Sequence, residues 1–182
     1  MQRFNARHLP RRYHAAMVRT AILTVSDRGA AGQREDTAVH EIRRLLQGGP
    51  FVEVDYQVLP DEQAMIRAKL RLWSDQDTVD LVLTTGGTGL ALRDRTPEAT
   101  REVIEREVPG LAELMRAHGA LHNPKAALSR ALVGVRRKTL IVNLPGSAKG
   151  AAQSLEAIIG ILPHAVDTIL GEKRSAPESW HN

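Results

Sequence analysis

The chain has 182 residues, 42% of them hydrophobic and 25% charged, a size and balance that suit one globular domain with its own core. The absence of cysteine excludes disulfides, thiolate metal sites and a cysteine nucleophile, and no apolar run approaches the roughly 18 residues needed to span a bilayer. The net charge of +4 lies wholly in residues 1–17, where Arg3, Arg7, Arg11 and Arg12 occur without an acid; the remainder is neutral, and with two Trp, two Tyr and two Phe in the whole chain there is neither the basicity nor the stacking platform of a nucleic-acid binder.

Residues 1–17 read as a flexible basic arm ahead of a single domain over residues 18–182. The arm lacks the apolar stretch of an export signal, and Met17 is a second candidate start. From residue 19 strands and helices alternate. TAILTVS (20–26) is a strand buried on both faces, ending in the turn SDRG. A helix over 35–46 carries Ala38, Val39, Ile42, Leu45 and Leu46 on one face and Glu35 and Asp36 at its N-terminal end. GGP (48–50) stops it. FVEVDYQVL (51–59) alternates as a second strand. Pro60-Asp61 opens a helix with Ala64, Ala68 and Leu72 along its apolar face, and Asp61 suits its N-cap. VDLVLTT (79–85) is a third strand.

Thr96-Pro97-Glu98 reads as N-cap, first-turn proline and acid of a helix running to about Glu107. A short helix, LAELMRAH, follows Pro109-Gly110 and stops at Gly119. Residues 131–136 and 138–143 form two strands about Arg137. Ser147 caps a helix with Ala151, Ala152, Leu155, Ile158 and Ile159 as its stripe, and Pro163 begins a last helix ending at Gly171. The alternation predicts an α/β three-layer sandwich: a mostly parallel central sheet with helices on both faces. Ligands in such sheets bind beyond the carboxyl ends of the strands. SDRG, TGGTG and NLPGS each follow an apolar strand, so all three turns are expected at one edge.

TTGGTG (84–89) is the sharpest local feature. Glycines permit positive φ and close backbone approach, so successive amides can form an anion-binding concavity. No Gly-Lys-Ser/Thr follows, so this is not a Walker A loop. Arg93, Asp94 and Arg95 come next, and a carboxylate beside an anion pocket suits a phosphate that arrives with Mg²⁺. A methyl at Gly87 is expected to cost binding more than stability. Asp94 also fits simple support of the helix start, Asp27 a turn, Asn143 and Ser147 turn and cap, and Ser129-Arg130 a loop. The seven histidines show no metal-ligand spacing.

TVSDR, LPDE, LVLTTGGTG with RDRTPE, REVPGLAELMR and LSRALVGVRRKTLIVNLPGS, in this order over roughly residues 19–170, resemble the MogA/MoaB family of molybdenum-cofactor biosynthesis, to which the plant and gephyrin G domains are similar. The resemblance implies adenylylation of molybdopterin with Mg-ATP, releasing pyrophosphate, by a cytoplasmic homotrimer that works ahead of a MoeA-type molybdate-insertion partner. It implies catalytic, Mg²⁺-holding roles for Asp61 and Asp94. Ser26, Asp27, Thr85, Gly86, Gly87, Thr88, Gly89, Ser129, Arg130, Asn143, Pro145, Gly146 and Ser147 would bind substrate or nucleotide. Within this set the amides of Gly86–Gly89 would cradle phosphate, and Ser129 and Arg130 would meet the pterin phosphate. Alternatives are a MoaB-type paralogue that binds pterin without turnover, a trimeric scaffold, and a CinA-like nucleotide hydrolase.

Overall fold

The computed structural model describes residues 17–33 and 35–171; the expected basic arm, apart from Met17, lies outside them. Six strands form one sheet in the order β2-β1-β3-β6-β5-β4. The strands are β1 (Val18–Val25), β2 (Phe51–Leu59), β3 (Leu81–Thr85), β4 (Arg106–Glu107), β5 (Val133–Arg136) and β6 (Thr139–Leu144). The four strands β2, β1, β3 and β6 run parallel, while β5 and β4 pair antiparallel at the other edge. The helices are α1 (Asp27–Ala30), α2 (Thr37–Leu46), α3 (Gln63–Asp75), α4 (Thr96–Arg101), α5 (Pro109–His122), α6 (Ala148–Glu156) and α7 (Leu162–Leu170), with a 3₁₀ turn at Pro124–Leu128.

The pleat divides the core in two, because successive strand residues face opposite sides. Ile22 of β1 packs with Ala38, Val39 and Ile42 of α2, Leu155 of α6 and Val166 of α7. Its neighbours Ala21 and Leu23 face the other layer, with Ile66, Leu70 and Trp73 of α3 and Ala99 following α4's first turn. This is the expected sandwich with helices on both faces. Asp36 caps α2 by accepting from the Val39 amide at 3.0 Å, and Ser147 caps α6 through the Gly150 amide at 3.1 Å. Arg137 joins β5 to β6 with φ +50.

Four local expectations are corrected. Ala64, Ala68 and Leu72 face solvent on α3, because the bulkier set Ile66, Leu70 and Trp73 offers more apolar area to the sheet. Asp61 does not cap α3: the helix starts at Gln63, Glu62 occupies the cap position without a side-chain bond, and the Asp61 carboxylate is engaged elsewhere. Thr96 is the first residue of α4 rather than its cap, and the helix ends at Arg101 because Arg106 and Glu107 are drawn into the sheet against β5. Gly119 does not end α5; it is buried within the helix, where a Cβ would lie 2.9 Å from that of Ala126. No helix among the described residues is long and apolar enough to cross a membrane.

Candidate functional site

Because β1, β3 and β6 are parallel neighbours, the three turns that leave their carboxyl ends converge on one edge. The first turn opens with Ser26, whose hydroxyl accepts from the Gly29 amide at 3.1 Å. Asp27 and Asp61 then bind each other's backbones. The Asp27 amide donates to Asp61 Oδ2 at 2.9 Å, and the Asp61 amide donates to Asp27 Oδ1 at 3.0 Å. This exchange ties the end of β1 to the end of β2 and fixes both carboxylates. It is also why Asp61 is not available to cap α3.

The glycine loop after β3 is forced into shape by contact. Gly86 has φ +100, and a Cβ there would lie 2.2 Å from the Val25 carbonyl oxygen. Gly87 has φ +62, and its Cβ would lie 2.4 Å from Thr96 Oγ1. Only glycine tolerates both the conformation and the contact. Below the loop runs a buried chain of hydrogen bonds. Asn143 Nδ2 donates to Thr84 Oγ1 and Thr100 Oγ1, both at 3.0 Å; Thr100 donates to Thr96 O, and Thr96 Oγ1 donates to Gly86 O at 2.8 Å. The third turn meets the second directly: Thr85 Oγ1 donates to Pro145 O at 2.7 Å, and a Cβ on Gly146 would approach Gly86 Cα to 3.0 Å.

Asp94 returns toward the glycine loop at the foot of the segment 88–95. Its Oδ2 accepts from the Ala91 amide at 3.0 Å and lies 2.8 Å from where a Cβ of Gly89 would stand. Arg93 reaches back across the site, forking onto Asp27 at 2.8 and 2.9 Å and touching Glu62 at 3.1 Å. The Arg93 hydrogen bond, helped by the one from the Asp61 backbone, holds the Asp27 carboxyl below the usual aspartate range. Asp61 moves the other way. Burial raises it first, and the negative charges of Asp27 and Asp94 add to this against the Asp27 amide and Arg93. A carboxyl strained in this direction is relieved by a cation.

Two cavities open beside these turns. One, about 520 Å³, is walled by Ser26, Asp27, Asp61, Thr85 and Gly86, and extends to Asp36 and Thr37 at the start of α2. The other, about 650 Å³, is walled by Thr88, Gly89 and Ser129 and by Arg116, His122, Lys125 and Lys149. Gly87, Asp94, Gly146 and Ser147 line both. One cavity is thus carboxylate-rich and the other basic, and they meet at four residues.

Most of the residues singled out from sequence are gathered here, with three differences. Asn143 is fully buried beneath the loop and lines neither cavity; its amide group supports Thr84 and Thr100. The Gly86 amide donates to Leu144 O at 3.2 Å, so the cavity-lining part of the loop used by both sides begins at Gly87. The Arg130 guanidinium is turned onto Gly89 O, Asp94 O and Glu98 rather than into either cavity. Sequence reasoning missed Arg116, His122, Lys125 and Lys149. They come from α5, the turn after it and α6, and only tertiary packing brings them to one wall; basic residues near the ends of two cover helices were the available signal.

Among the described residues no group of three or more His, Cys, Asp or Glu could enclose a metal. The donor set still fits Mg²⁺ arriving with a nucleotide, which keeps its waters and binds through one or two carboxylates plus phosphate oxygens.

Comparison with known proteins gives one answer. The family described as "Probable molybdopterin binding domain" matches residues 21–164. A molybdopterin adenylyltransferase of Helicobacter pylori is 42% identical over 156 residues, 85% of this chain and 89% of that protein. One from Escherichia coli is 40% identical over 78% of this chain and 73% of its own length. The crystal structure of the molybdopterin biosynthesis enzyme MoaB from Thermus thermophilus superposes with a TM-score of 0.83 at 58% identity, covering 87% of this chain and all of the other. With the family matched over residues 21–164 and relatives about 40% identical over most of its length, this chain belongs to the molybdopterin-binding-domain family of MogA and MoaB.

Proposed function

We propose that this chain adenylylates molybdopterin in molybdenum-cofactor biosynthesis, using ATP and releasing pyrophosphate. The observation that carries this reading is the pair of cavities, one carboxylate-lined and one basic, that share Gly87, Asp94, Gly146 and Ser147. A two-substrate phosphoryl reaction needs this arrangement, because each substrate must bring a phosphate to one point from opposite sides. The 520 Å³ cavity takes the nucleotide, its triphosphate against Gly87 and the acids. The 650 Å³ cavity takes the pterin, with Lys125, Lys149 and Arg116 facing its phosphate.

An oxygen of the molybdopterin phosphate attacks the α-phosphorus of ATP. The new P–O bond forms as the bond from the α-phosphorus to the bridging oxygen breaks, and pyrophosphate departs. The nucleophile is already an anion, so no general base is required, and catalysis is alignment and charge neutralisation. Mg²⁺ held by Asp61 and Asp94 with triphosphate oxygens would neutralise the leaving charge. Gly87, Thr88 and Gly89 bring their backbone to the transferring phosphates, while the Asp27–Asp61 exchange and Arg93 keep the carboxylate wall in place. The family resemblance extends the reading to a homotrimer acting in the cytoplasm beside a MoeA-type partner.

Incubation of the protein with molybdopterin, Mg²⁺ and labelled ATP is expected to yield adenylylated pterin and pyrophosphate. Pterin binding without product would assign the chain to the MoaB-type binders, and ATP hydrolysis without pterin to CinA-like hydrolases. Asp94→Asn keeps an acceptor for the Ala91 amide, so it is expected to fold normally and to lose transfer by a factor on the order of 10² or more. Wild-type turnover in that variant would remove Asp94 from the reaction.

A further inference from the structure

Asp94 sits on an exposed loop, yet the reaction proposed above requires its carboxylate at a fixed point between two cavities. Loops held only by their own turns are mobile, so something must fix this one. The loop's internal bonds, Asp94 N to Ala91 O and Ala91 N to Asp94 Oδ2, both 3.0 Å, shape its tip but do not attach it to the body.

Arg93 ties the outer side of the loop to Asp27 and Glu62; its two feet, where the Asp94 backbone stands, are held together by Arg130. The Arg130 backbone amide donates to Thr88 O at 2.9 Å. Its Nε donates to Gly89 O at 2.7 Å and its second terminal nitrogen to Asp94 O at 2.6 Å. The remaining terminal nitrogen bonds Glu98 in the first turn of α4. One planar side chain therefore bridges the two feet of the loop, and the opposed edge of the same plane is anchored to the helix that follows. Asp94 Oδ2 lies 2.8 Å from where a Cβ of Gly89 would stand, so a change in the spacing that Arg130 sets between the feet also moves the Asp94 carboxylate relative to Gly89. Arg130 lines neither cavity.

We infer that Arg130 is a positioning residue that acts through Asp94, with Glu98 orienting Arg130, and that it does not bind the pterin phosphate. The inference rests on the adenylyl-transfer reading for its kinetic consequence and on the geometry alone for its binding consequence. A lysine cannot replace the guanidinium, since three acceptors in one plane need the rigid fork.

The experiment compares full-length wild type, Arg130→Lys and Glu98→Gln by steady-state adenylyl transfer, and measures ATP affinity calorimetrically with and without Mg²⁺. A misplacement of about 1 Å at a reacting group costs on the order of 10²-fold. Arg130→Lys is therefore expected to lower kcat by about that factor while KM for molybdopterin stays within about twofold, the signature of a lost transition-state interaction rather than of lost substrate binding. It is also expected to shrink the advantage of Mg-ATP over free ATP. Glu98→Gln keeps an acceptor for Arg130 but not the charge, and is expected to move both readouts the same way and less far. If Arg130→Lys fails to fold, Glu98→Gln carries the test alone. A raised KM for molybdopterin with kcat intact would overturn the inference in favour of direct phosphate binding, and unchanged values in both variants would overturn it outright. A wild type that makes no product would overturn adenylyl transfer instead, leaving the Mg²⁺-dependent affinity to decide the role of Arg130.

Discussion

Gly87 answers two demands with one absent atom: it adopts φ +62, and it leaves room for Thr96 Oγ1 where a Cβ would stand 2.4 Å away. Gly87→Ala is expected to cost about 1–3 kcal/mol in backbone strain and further stability as Thr96 moves off Gly86 O, together with nucleotide affinity. Denaturant unfolding and calorimetry check the two losses. The sequence alone suggested that binding would suffer more than stability, because the close approach of Thr96 from the following helix has no local trace. Asp61 gives a pH dependence. Its folded-state carboxyl lies above the ordinary aspartate value of about 3.9. In the metal-free protein its proton therefore adds stability below that value, and the contribution is lost as pH rises through the folded-state value. A cation competes with the same proton, so Mg-nucleotide affinity is expected to rise with pH across this window and then flatten. Asp27→Asn removes a neighbouring charge and should shift the rise to lower pH; a flat profile in both proteins would show that Asp61 does not meet the metal.

At the level of elements, α3 shows what periodicity reads and what it misreads. The segment is a helix, as its pattern requires, and β2 before it has the expected bounds. The face was misjudged because Ala64, Ala68 and Leu72 recur at helical spacing, as do Ile66, Leu70 and Trp73 on another face, and the second set buries more. Ile66→Ala is expected to cost about 2–5 kcal/mol and Leu72→Ala no more than about 0.5 kcal/mol in urea unfolding. Equal losses would restore the alanine face. Segment 102–107 was invisible for another reason. It leaves the helix through a turn and enters the two-residue strand β4, a course decided by pairing of Arg106 with Val135, and no local signal carries that. The cap at Ser147 was legible because an N-cap satisfies an amide only three residues away; Asp36 was read as an acid within the start of its helix, whereas it stands just before Thr37 as the cap.

For the whole molecule, the site edge was legible and its interior was not. Parallel strands must direct their following turns the same way, so three turns separated in sequence could be placed together from pattern alone. The division into two cavities could not, since it depends on where α5 and α6 set Arg116, Lys125 and Lys149. The Arg93–Asp27 bridge and the Arg130 attachment join residues far apart in the chain, and such ion pairs have no periodicity to read. The proposed homotrimer predicts a solution mass three times the 20.0 kDa of one chain; light scattering of a monomer would remove it.

The partition made of Gly87, Asp94, Gly146 and Ser147 belongs equally to both cavities, so the two ligands have one wall in common. Whatever one occupant does to those four residues, by tightening them or drawing on the charge of Asp94, is felt by the other. Thermodynamic linkage makes that influence symmetric: the factor by which a bound nucleotide changes the dissociation constant of the pterin equals the factor by which the pterin changes that of the nucleotide.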